Sequence, residues 1–476
     1  MNYLYFGSNI SNQLLKQLSE NYDFSVLYEN HDAHLFDEKF LSSPSRITFH
    51  NISEKLKYSN TEAAVTELDI ERIKQEILSD HMVSLLAYRF NRRCKPAYQI
   101  QIDCGDYVEA AIGFYLEYKP NKIFCSYMPH SLEAYLFMNT MELCGVEVFL
   151  LISSPLPWVR YLCKSIRKPE RISHDCLENA TKDDINEFLG IAASDYKDAI
   201  PYYEKRGATS LKQFAKNFKS PRSVISFLWF FLDKLFIKLE YDRCKVSFNQ
   251  EVIAKKRFVI YFLHFQPEMN TVPLARIYAD QLNVIRKLSR SLPRGVTLFV
   301  REHPSTFNKK ADRRWRPKGF YKRISNIKNV VLLDHGNLTP FALIDNAECV
   351  ASITGNVLTE SIARGKNVIS FYEPFLPSFR NESAIQTACA PILSDTELCD
   401  FISLSGLKST KEKAFKTLFE LSMSSYTGRM MDGGVIPKSV SDTHQITAQV
   451  TYKFFYDALS NKLFDEVSSV LDSSHP

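Results

Sequence analysis

The sequence predicts an α/β protein: two parallel-sheet domains facing across a cleft, with a helical connector between them and a C-terminal helix. Three observations predict it. Over roughly the first 155 residues, short apolar β-type runs alternate with helical patterns, as in a parallel sheet covered by helices. The run FVIYFLHF at Phe258–Phe265 is almost continuously apolar, as a strand buried on both faces must be, and it opens a second alternating stretch. Between the two, residues from about 165 to 250 are charged, helix-patterned and poor in strands.

Taken in order, strands are expected at Tyr3–Phe6, Phe24–Tyr28 and Ile47–Phe49, with a helix over Glu62–Ser79. A helix at Tyr107–Tyr118 leads to a strand at Ile123–Cys125, a helix at Leu132–Leu143 and a strand at Val146–Ile152. Pro155 and Pro157 then break the pattern. In the second half, Phe258–Phe265 is followed by a helix at Leu274–Ser291 and a strand at Thr297–Arg301. Strands at Val330–Leu333, Cys349–Ser352 and Asn367–Phe371 alternate with helices at Tyr321–Ser325, Pro340–Asn346 and Leu358–Arg364. Ser441–Asp472 reads as an amphipathic helix. The expected units are a Rossmann-like domain at 1–160, a helical connector at 161–252, a second Rossmann-like domain at 253–430, and a helical tail at 431–476 packing back on the first domain.

Composition excludes several classes. The 476 residues are 45% hydrophobic and 24% charged, which fits a globular chain and not a disordered, collagen-like or coiled-coil one. Fifty-nine basic against 54 acidic residues give a formal +5, too diffuse for a nucleic-acid partner. The ten cysteines are scattered with no CxxC pair, so neither a disulfide framework nor a zinc site is expected. The opening MNYLYFGSNISNQ lacks a basic stretch followed by a long apolar one, and no apolar run reaches the ~20 residues of a spanning helix. A cytoplasmic chain is expected.

In open α/β sheets, ligands bind beyond the carboxyl ends of the strands, so the loops there carry the candidate chemistry. In FVREHP, Arg301, Glu302 and His303 end a buried strand and Pro304 stops it. Arg matches phosphate geometry and His can donate to a phosphate oxygen. In CVASITGNVLTESIARG, a strand ends at Ser352 and a small polar turn follows, with Thr354, Gly355 and Asn356. Gly355 permits close backbone approach, the hydroxyls of Ser352 and Thr354 are donors, and the next helix presents free N–H groups to a phosphate. Glu360, one or two turns into that helix, is placed to meet a ribose diol. The pattern is neither a P-loop nor GxGxxG. In YFLHFQPEMNT, which follows the first strand of the second half, His264, Gln266 and Glu268 should point into the cleft, with Glu268 a candidate base, nucleophile or sugar-hydroxyl ligand.

The first half offers two acid–base candidates. IFCSYMPHSLE places His130 at a strand end, with Glu133 a helical turn beyond. Asp103-Cys104-Gly105-Asp106 is expected just before a helix starting at Tyr107, which would make Asp106 a candidate base; Asp and Gly are equally common as turn and cap residues. Ser223–Tyr241, SVISFLWFFLDKLFIKLEY, fits either an interfacial helix or one buried between domains. Lys309, Lys310, Arg313, Arg314, Arg316 and Lys318 form a basic cluster that could draw an anionic glycan or lipid headgroup, or be a solvated loop.

The pairing of REHP with SITGNVLTESIARGKNVISF, about 50 residues apart, resembles the C-terminal domain of bacterial surface-polysaccharide glycosyltransferases of the GT-B architecture. The nearest set is capsule and lipopolysaccharide enzymes that use CMP-activated ulosonic acids such as Kdo or sialic acid. The resemblance covers mainly residues 258–372. It implies that His303 with Pro304, and Ser352 with Thr354, hold the nucleotide's phosphate while Glu360 holds its ribose. YFLHFQPEMNT looks like a recurrent stretch of capsule-type transferases, and Pro129-His130 resembles a strand-end His of the acceptor-side domain. The implied partners are a CMP-sugar donor, a glycan or lipid-linked glycan acceptor, and a peripheral contact with the inner face of the cytoplasmic membrane.

Glycosyl transfer needs a stabilised leaving phosphate, a positioned anomeric centre and a base for the acceptor hydroxyl. No DxD-type pair sits near these strand ends, so the expected chemistry is metal-independent, and no cofactor is implied. Candidate bases are Asp106, His130 and Glu268. Three alternatives stay open: a UDP- or CDP-linked donor on the same fold, a nucleotide-sugar epimerase or hydrolase, and a non-catalytic polysaccharide assembly partner.

Overall fold

The structure, a computed structural model, describes residues 3–6, 24–28, 47–51, 69–90, 96–125, 127–154, 156, 158–172, 181–193, 221–268, 271–308, 314–334, 338–372, 384–405, 410–422 and 426–427. They form two sheets, each mostly parallel and flanked by helices.

The first sheet takes β1 (Tyr3–Phe6), β2 (Phe24–Tyr28), β3 (Ile47–Asn51), β4 (Lys122–Cys125), β5 (Glu147–Ser153) and β6 (Val159–Lys164), with β7 (Glu170–Arg171) at its margin. Its order is β3-β2-β1-β4-β5-β6, and β14 (Tyr426–Thr427) adds beyond β6. Strands β1 to β5 are parallel, with Tyr3 opposite both Phe24 and Lys122. The second sheet takes β8 (Phe258–Phe262), β9 (Thr297–Arg301), β10 (Val330–Leu333), β11 (Cys349–Ser352), β12 (Asn367–Ser370) and β13 (Thr387–Cys389). Its order β10-β9-β8-β11-β12-β13 is parallel throughout. Numbered within the sheet this is 3-2-1-4-5-6, the doubly wound order of Rossmann-like domains. The expected fold class is therefore the observed one.

Local chemistry explains the element ends. Helices α1 (Ile70–Leu78), α2 (His81–Phe90) and α3 (Ala97–Tyr118) precede β4, and α4 (Leu132–Leu143) joins β4 to β5. The Ser131 hydroxyl accepts from the Ala134 N–H and caps α4. Central strands are sealed on both faces: Ile123, Phe124 and Cys125 in β4, and Phe258, Val259, Ile260 and Tyr261 in β8, are fully buried. That is why these runs lack polar alternation.

Helices α5 (Lys182–Ala193), α6 (Pro221–Cys244) and α7 (Gln250–Ala254) occupy the connector, and α8 (Gln281–Arg290), capped by Asp280, follows β8. Then come α9 (Ser305–Asn308), α10 (Phe320–Ser325), α11 (Pro340–Asn346), α12 (Val357–Ala363), α13 (Asp395–Ser403) and α14 (Lys411–Ser422). Helix α5 packs on α12 and α14, and Arg364 after α12 donates to the Ala192 carbonyl at 2.7 Å. Phe188 of α5 meets Trp158 of the first lobe at 5.2 Å between ring centroids.

Three expectations change, and a fourth lies outside the described residues. The first sheet does not end at residue 160: β6 pairs antiparallel with β5, because the Ser154 side chain closes a tight reversal around Leu156. Residues 103–106 are not a turn. They lie inside α3, which starts at Ala97 after Pro96, and Gly105 sits in its buried face, where a side chain would meet Lys74. The helix expected at Leu274–Ser291 is split into a 3-10 turn at Arg276–Ala279 and α8, since the Asp280 cap restarts it. The helix expected over Ser441–Asp472 lies outside the described residues, while α14 and β14 already return to the first sheet.

Candidate functional site

In the second sheet the strand order reverses between β8 and β11, both of which are central. In doubly wound sheets, the crevice between the loops at such a reversal is the usual ligand seat. His264 follows β8 and Ser352 ends β11, and the two side chains meet across it: His264 Nε2 lies 3.1 Å from Ser352 Oγ. The Thr354 N–H donates to the same nitrogen at 3.3 Å. Gly355 passes so close that a Cβ would stand 3.0 Å from Ser352 Oγ and 3.4 Å from His264 Cε1. The expected glycine requirement thus has a steric cause. Helix α12 has only seven residues, so the seat rests on these side chains more than on a helix dipole.

His264 is 7% exposed. Burial, with the nearby charges of His303 and Arg316, pushes its pKa down to about 3, so the ring is neutral. His303 leaves β9 half-buried, against Phe265 at 6.1 Å between ring centroids, and its Nδ1 accepts from the Ser305 N–H at 3.2 Å. Pro304 begins the turn into α9.

The other binding candidates divide. Glu302 does not face a ligand. Its carboxylate accepts from Arg316 Nε (2.7 Å), Arg316 Nη2 (2.9 Å), Tyr321 Oη (2.7 Å), Thr306 Oγ1 (3.1 Å) and the His303 N–H (2.7 Å). Burial alone would raise this carboxyl, but the Arg316 charge and these bonds carry it below the ordinary carboxylate range. Gln266 is turned inward as well, donating to the Ala279 carbonyl at 2.8 Å and accepting from Gln281 and Arg316. Arg301 is buried and donates to the Leu338 carbonyl at 2.8 Å. Thr354 is buried beside His264, while Gly355, Asn356 and Glu360 are half-buried at the start of α12.

Two residues missed in the sequence organise this site. Arg316, read there as one of a basic cluster that either draws an anionic glycan or lipid headgroup or is a solvated loop, is 4% exposed and also donates to the His264 carbonyl at 2.9 Å. Gln281 at the start of α8 accepts from the His264 N–H (2.7 Å) and donates to the His264 carbonyl (3.1 Å). Arg316 clamps the loop after β8 onto Glu302 after β9, and Gln281 pins the same loop to the start of α8. The proximity of Trp315 to Arg316 was the available signal; nothing in the sequence marked Gln281. Lys309, Lys310 and Arg313 lie outside the described residues.

The acid–base candidates are spread out. Glu268 is half-buried in a turn, where Thr271 Oγ1 and the Val272 N–H donate to its carbonyl at 3.0 and 2.9 Å. Its charge faces Arg89 of α2 in the first lobe, whose guanidinium donates to the Val272 carbonyl at 3.0 Å. Tyr88 of α2 packs edge-on to Trp315 and hydrogen-bonds the Arg314 carbonyl at 3.3 Å. The loop of Glu268 therefore sits where the lobes meet. His130 follows β4 at the reversal of strand order in the first sheet, half-buried beside Tyr127, with Glu133 in the first turn of α4. Asp106 is exposed on α3, near Lys74, and belongs to a helix surface and not to a strand-end loop. Among the described residues no group of three or more His, Cys, Asp or Glu is placed to hold a metal ion.

No family model matches the chain, and no curated protein does. Solved structures give faint likenesses. The UDP-GlcNAc 2-epimerase of Methanocaldococcus jannaschii aligns at 10% identity over 88% of this chain and 98% of its own, with a TM-score of 0.26. Anabaena Alr3699/HepE in complex with UDP-glucose aligns at 12% over 99% and 100%, with a TM-score of 0.25. An alpha,alpha-trehalose-phosphate synthase (UDP-forming) from Burkholderia vietnamiensis aligns at 10% over 88% and 96%, with a TM-score of 0.29. At such TM-scores these likenesses carry no assignment, and the architecture rests on the strand order and register above.

Proposed function

We propose that this protein is a glycosyltransferase that takes its sugar from a nucleotide-linked donor. The single observation that carries the reading is the meeting of His264, Ser352 and Thr354 at the β8–β11 reversal, around a glycine whose Cβ would crowd Ser352 and His264. The REHP and SITGNVLTES resemblance supports it. In this reading the donor's phosphate lies over His264, Ser352 and Thr354, with His303 on its other flank and Glu360 towards the ribose. Donors fixed in a mostly dry crevice stabilise charge on the departing phosphate. The acceptor enters from the first lobe, and Glu268 or His130 takes the hydroxyl proton.

The donor's base is decided by experiment. The sequence resemblance favours a CMP-linked ulosonic acid, whereas the compared structures named above are described with UDP or UDP-sugars. Thermal shift with CMP, UDP and CDP, followed by mass-spectrometric detection of nucleotide release with and without lipid-linked oligosaccharide, separates the donors. Release that needs no acceptor points to the epimerase or hydrolase alternative. Failure of every nucleotide to stabilise the protein removes all the enzyme readings.

A lipid-linked acceptor fits one more feature. Leu232, Leu235, Phe236 and Leu239 of α6 are each 39% exposed or more, at the spacing of one helical stripe. No helix among the described residues is long and apolar enough to cross a membrane. Contact in the plane of an interface is the proposed role, checked by co-sedimentation with anionic phospholipid vesicles before and after Phe236→Ser.

A further inference from the structure

Two backbone amides determine where the protons sit on the two histidines of this site. An amide nitrogen donates and cannot accept. The Thr354 N–H donates to His264 Nε2, so that nitrogen presents its lone pair. Ser352 Oγ, 3.1 Å from the same nitrogen, then donates its own proton there, and the two donors share one lone pair. A neutral imidazole carries one proton, which must therefore sit on Nδ1. Among the described residues Nδ1 has no hydrogen-bond partner, and it is not among the fully buried side-chain nitrogens and oxygens that lack one, so it keeps some exposed surface through which a ligand atom can be met. The rest of the ring is buried, and its backbone is clamped on both sides by Gln281 and Arg316.

We infer that His264 is held as the neutral Nδ1–H tautomer and serves as a fixed hydrogen-bond donor to a phosphate oxygen of the bound nucleotide, not as a base and not as a cationic anchor. The inference rests on the reading of this crevice as a nucleotide seat. Three features oppose protonation of Nε2. Such a proton would evict both donors, the ring would become charged in a buried place, and the charged groups facing it are His303 and Arg316. Glu302, the acid nearest that pair, is already matched to Arg316. His303 is arranged in the opposite sense: the Ser305 N–H holds its Nδ1 as acceptor, so its neutral form carries the proton on Nε2. His264 and His303 thus present opposite ring nitrogens as N–H donors, Nδ1 in one and Nε2 in the other. The acceptor's proton must go elsewhere, to Glu268 or His130.

Histidine side-chain 15N–1H correlation spectra of the full chain test this, with the His264 signals assigned by their loss in His264→Asn. The expected result is a protonated Nδ1 and an unprotonated Nε2 that persist from pH 8 to pH 5.5, with the Nδ1–H resonance moving when UDP or CMP is added. His264→Ala should weaken nucleotide binding about 10- to 100-fold, the usual loss for one bond to a charged group. A proton on Nε2, or a His264 titration midpoint above pH 6, overturns the tautomer. A nucleotide that binds without moving Nδ1–H overturns the donor role alone. If neither nucleotide nor inorganic phosphate binds, the nucleotide-seat reading falls together with the donor role, even where the free protein shows the expected tautomer.

Discussion

Arg316 and Glu302 form an ion pair sealed from solvent: their side chains are 3% and 0% exposed, and Nε stands 2.7 Å from Oε2. Every charged oxygen and most guanidinium hydrogens have partners, which is the condition under which a buried pair is tolerated. Removing either member leaves the other charge uncompensated. Glu302→Gln and Arg316→Met should each lower stability by about 3–5 kcal/mol, read from the urea midpoint. Arg316→Lys should recover little, because an ammonium cannot reproduce the fork that reaches both Glu302 and the His264 carbonyl. A loss below about 1 kcal/mol for Arg316→Met would contradict the burial described.

Gly355→Ala tests the close approach. Its new methyl would stand 3.0 Å from Ser352 Oγ and must push the hydroxyl or the ring of His264 aside. Overpacking of this kind costs about 1–3 kcal/mol. Part of that cost should appear as a loss of nucleotide affinity of roughly tenfold, measured by calorimetry. Unchanged affinity would place the nucleotide elsewhere.

The pH dependence follows from two depressed groups. His264 titrates at 6.5 when unfolded and at about 3 when folded. Between those values the unfolded chain binds the extra proton, so stability falls as pH drops through that window, by about 1.4 kcal/mol per unit at most. Glu302 is ionised in the fold to below its ordinary 4.5, so its contribution is present above that value and is lost only under more acid conditions. Chemical denaturation at pH 7, 6 and 5 should show the decline, and His264→Gln should flatten it. An equal slope in the variant would assign the effect to other groups.

At the lobe contact, Tyr88→Ala should barely alter stability, since the ring is 43% exposed and an edge-on aromatic pair contributes about 0.5–1.5 kcal/mol. Nucleotide binding to the second lobe should change by less than about twofold, while kcat/KM for transfer to an acceptor falls, because in the proposed reaction the acceptor comes from the first lobe and Tyr88 joins that lobe to the second. Equal loss in both measurements would mean that Tyr88 acts on the second lobe alone.

Much of the second domain was legible in the sequence because its strands are buried on both faces and its helices start at polar caps. Cys349–Ser352 and Val330–Leu333 are strands over the expected residues. Ser352, Thr354 and Gly355 do cluster, since a strand end followed by a small polar turn has few other conformations. What was hidden is the direction of side chains in the FVREHP segment and its neighbours. Glu302 looked like a ligand residue because it ends a strand, but its partner Arg316 is 14 positions on, inside a basic run whose other members gave no hint of burial. Asp106 misled for a local reason: Asp-Cys-Gly-Asp has the composition of a turn, and tertiary packing of α3 against α1 and α4 overrode it.

The return of the chain to its starting sheet has a practical consequence. Tyr426 and Thr427 add an antiparallel strand to β6, and the Tyr161 hydroxyl donates to the Leu421 carbonyl at 2.7 Å. The two lobes are thus stitched at both the connector and the far end. Excising the latter half as a separate fragment would strip an edge from the former, and proteolysis within the connector should leave two pieces that migrate together until denatured.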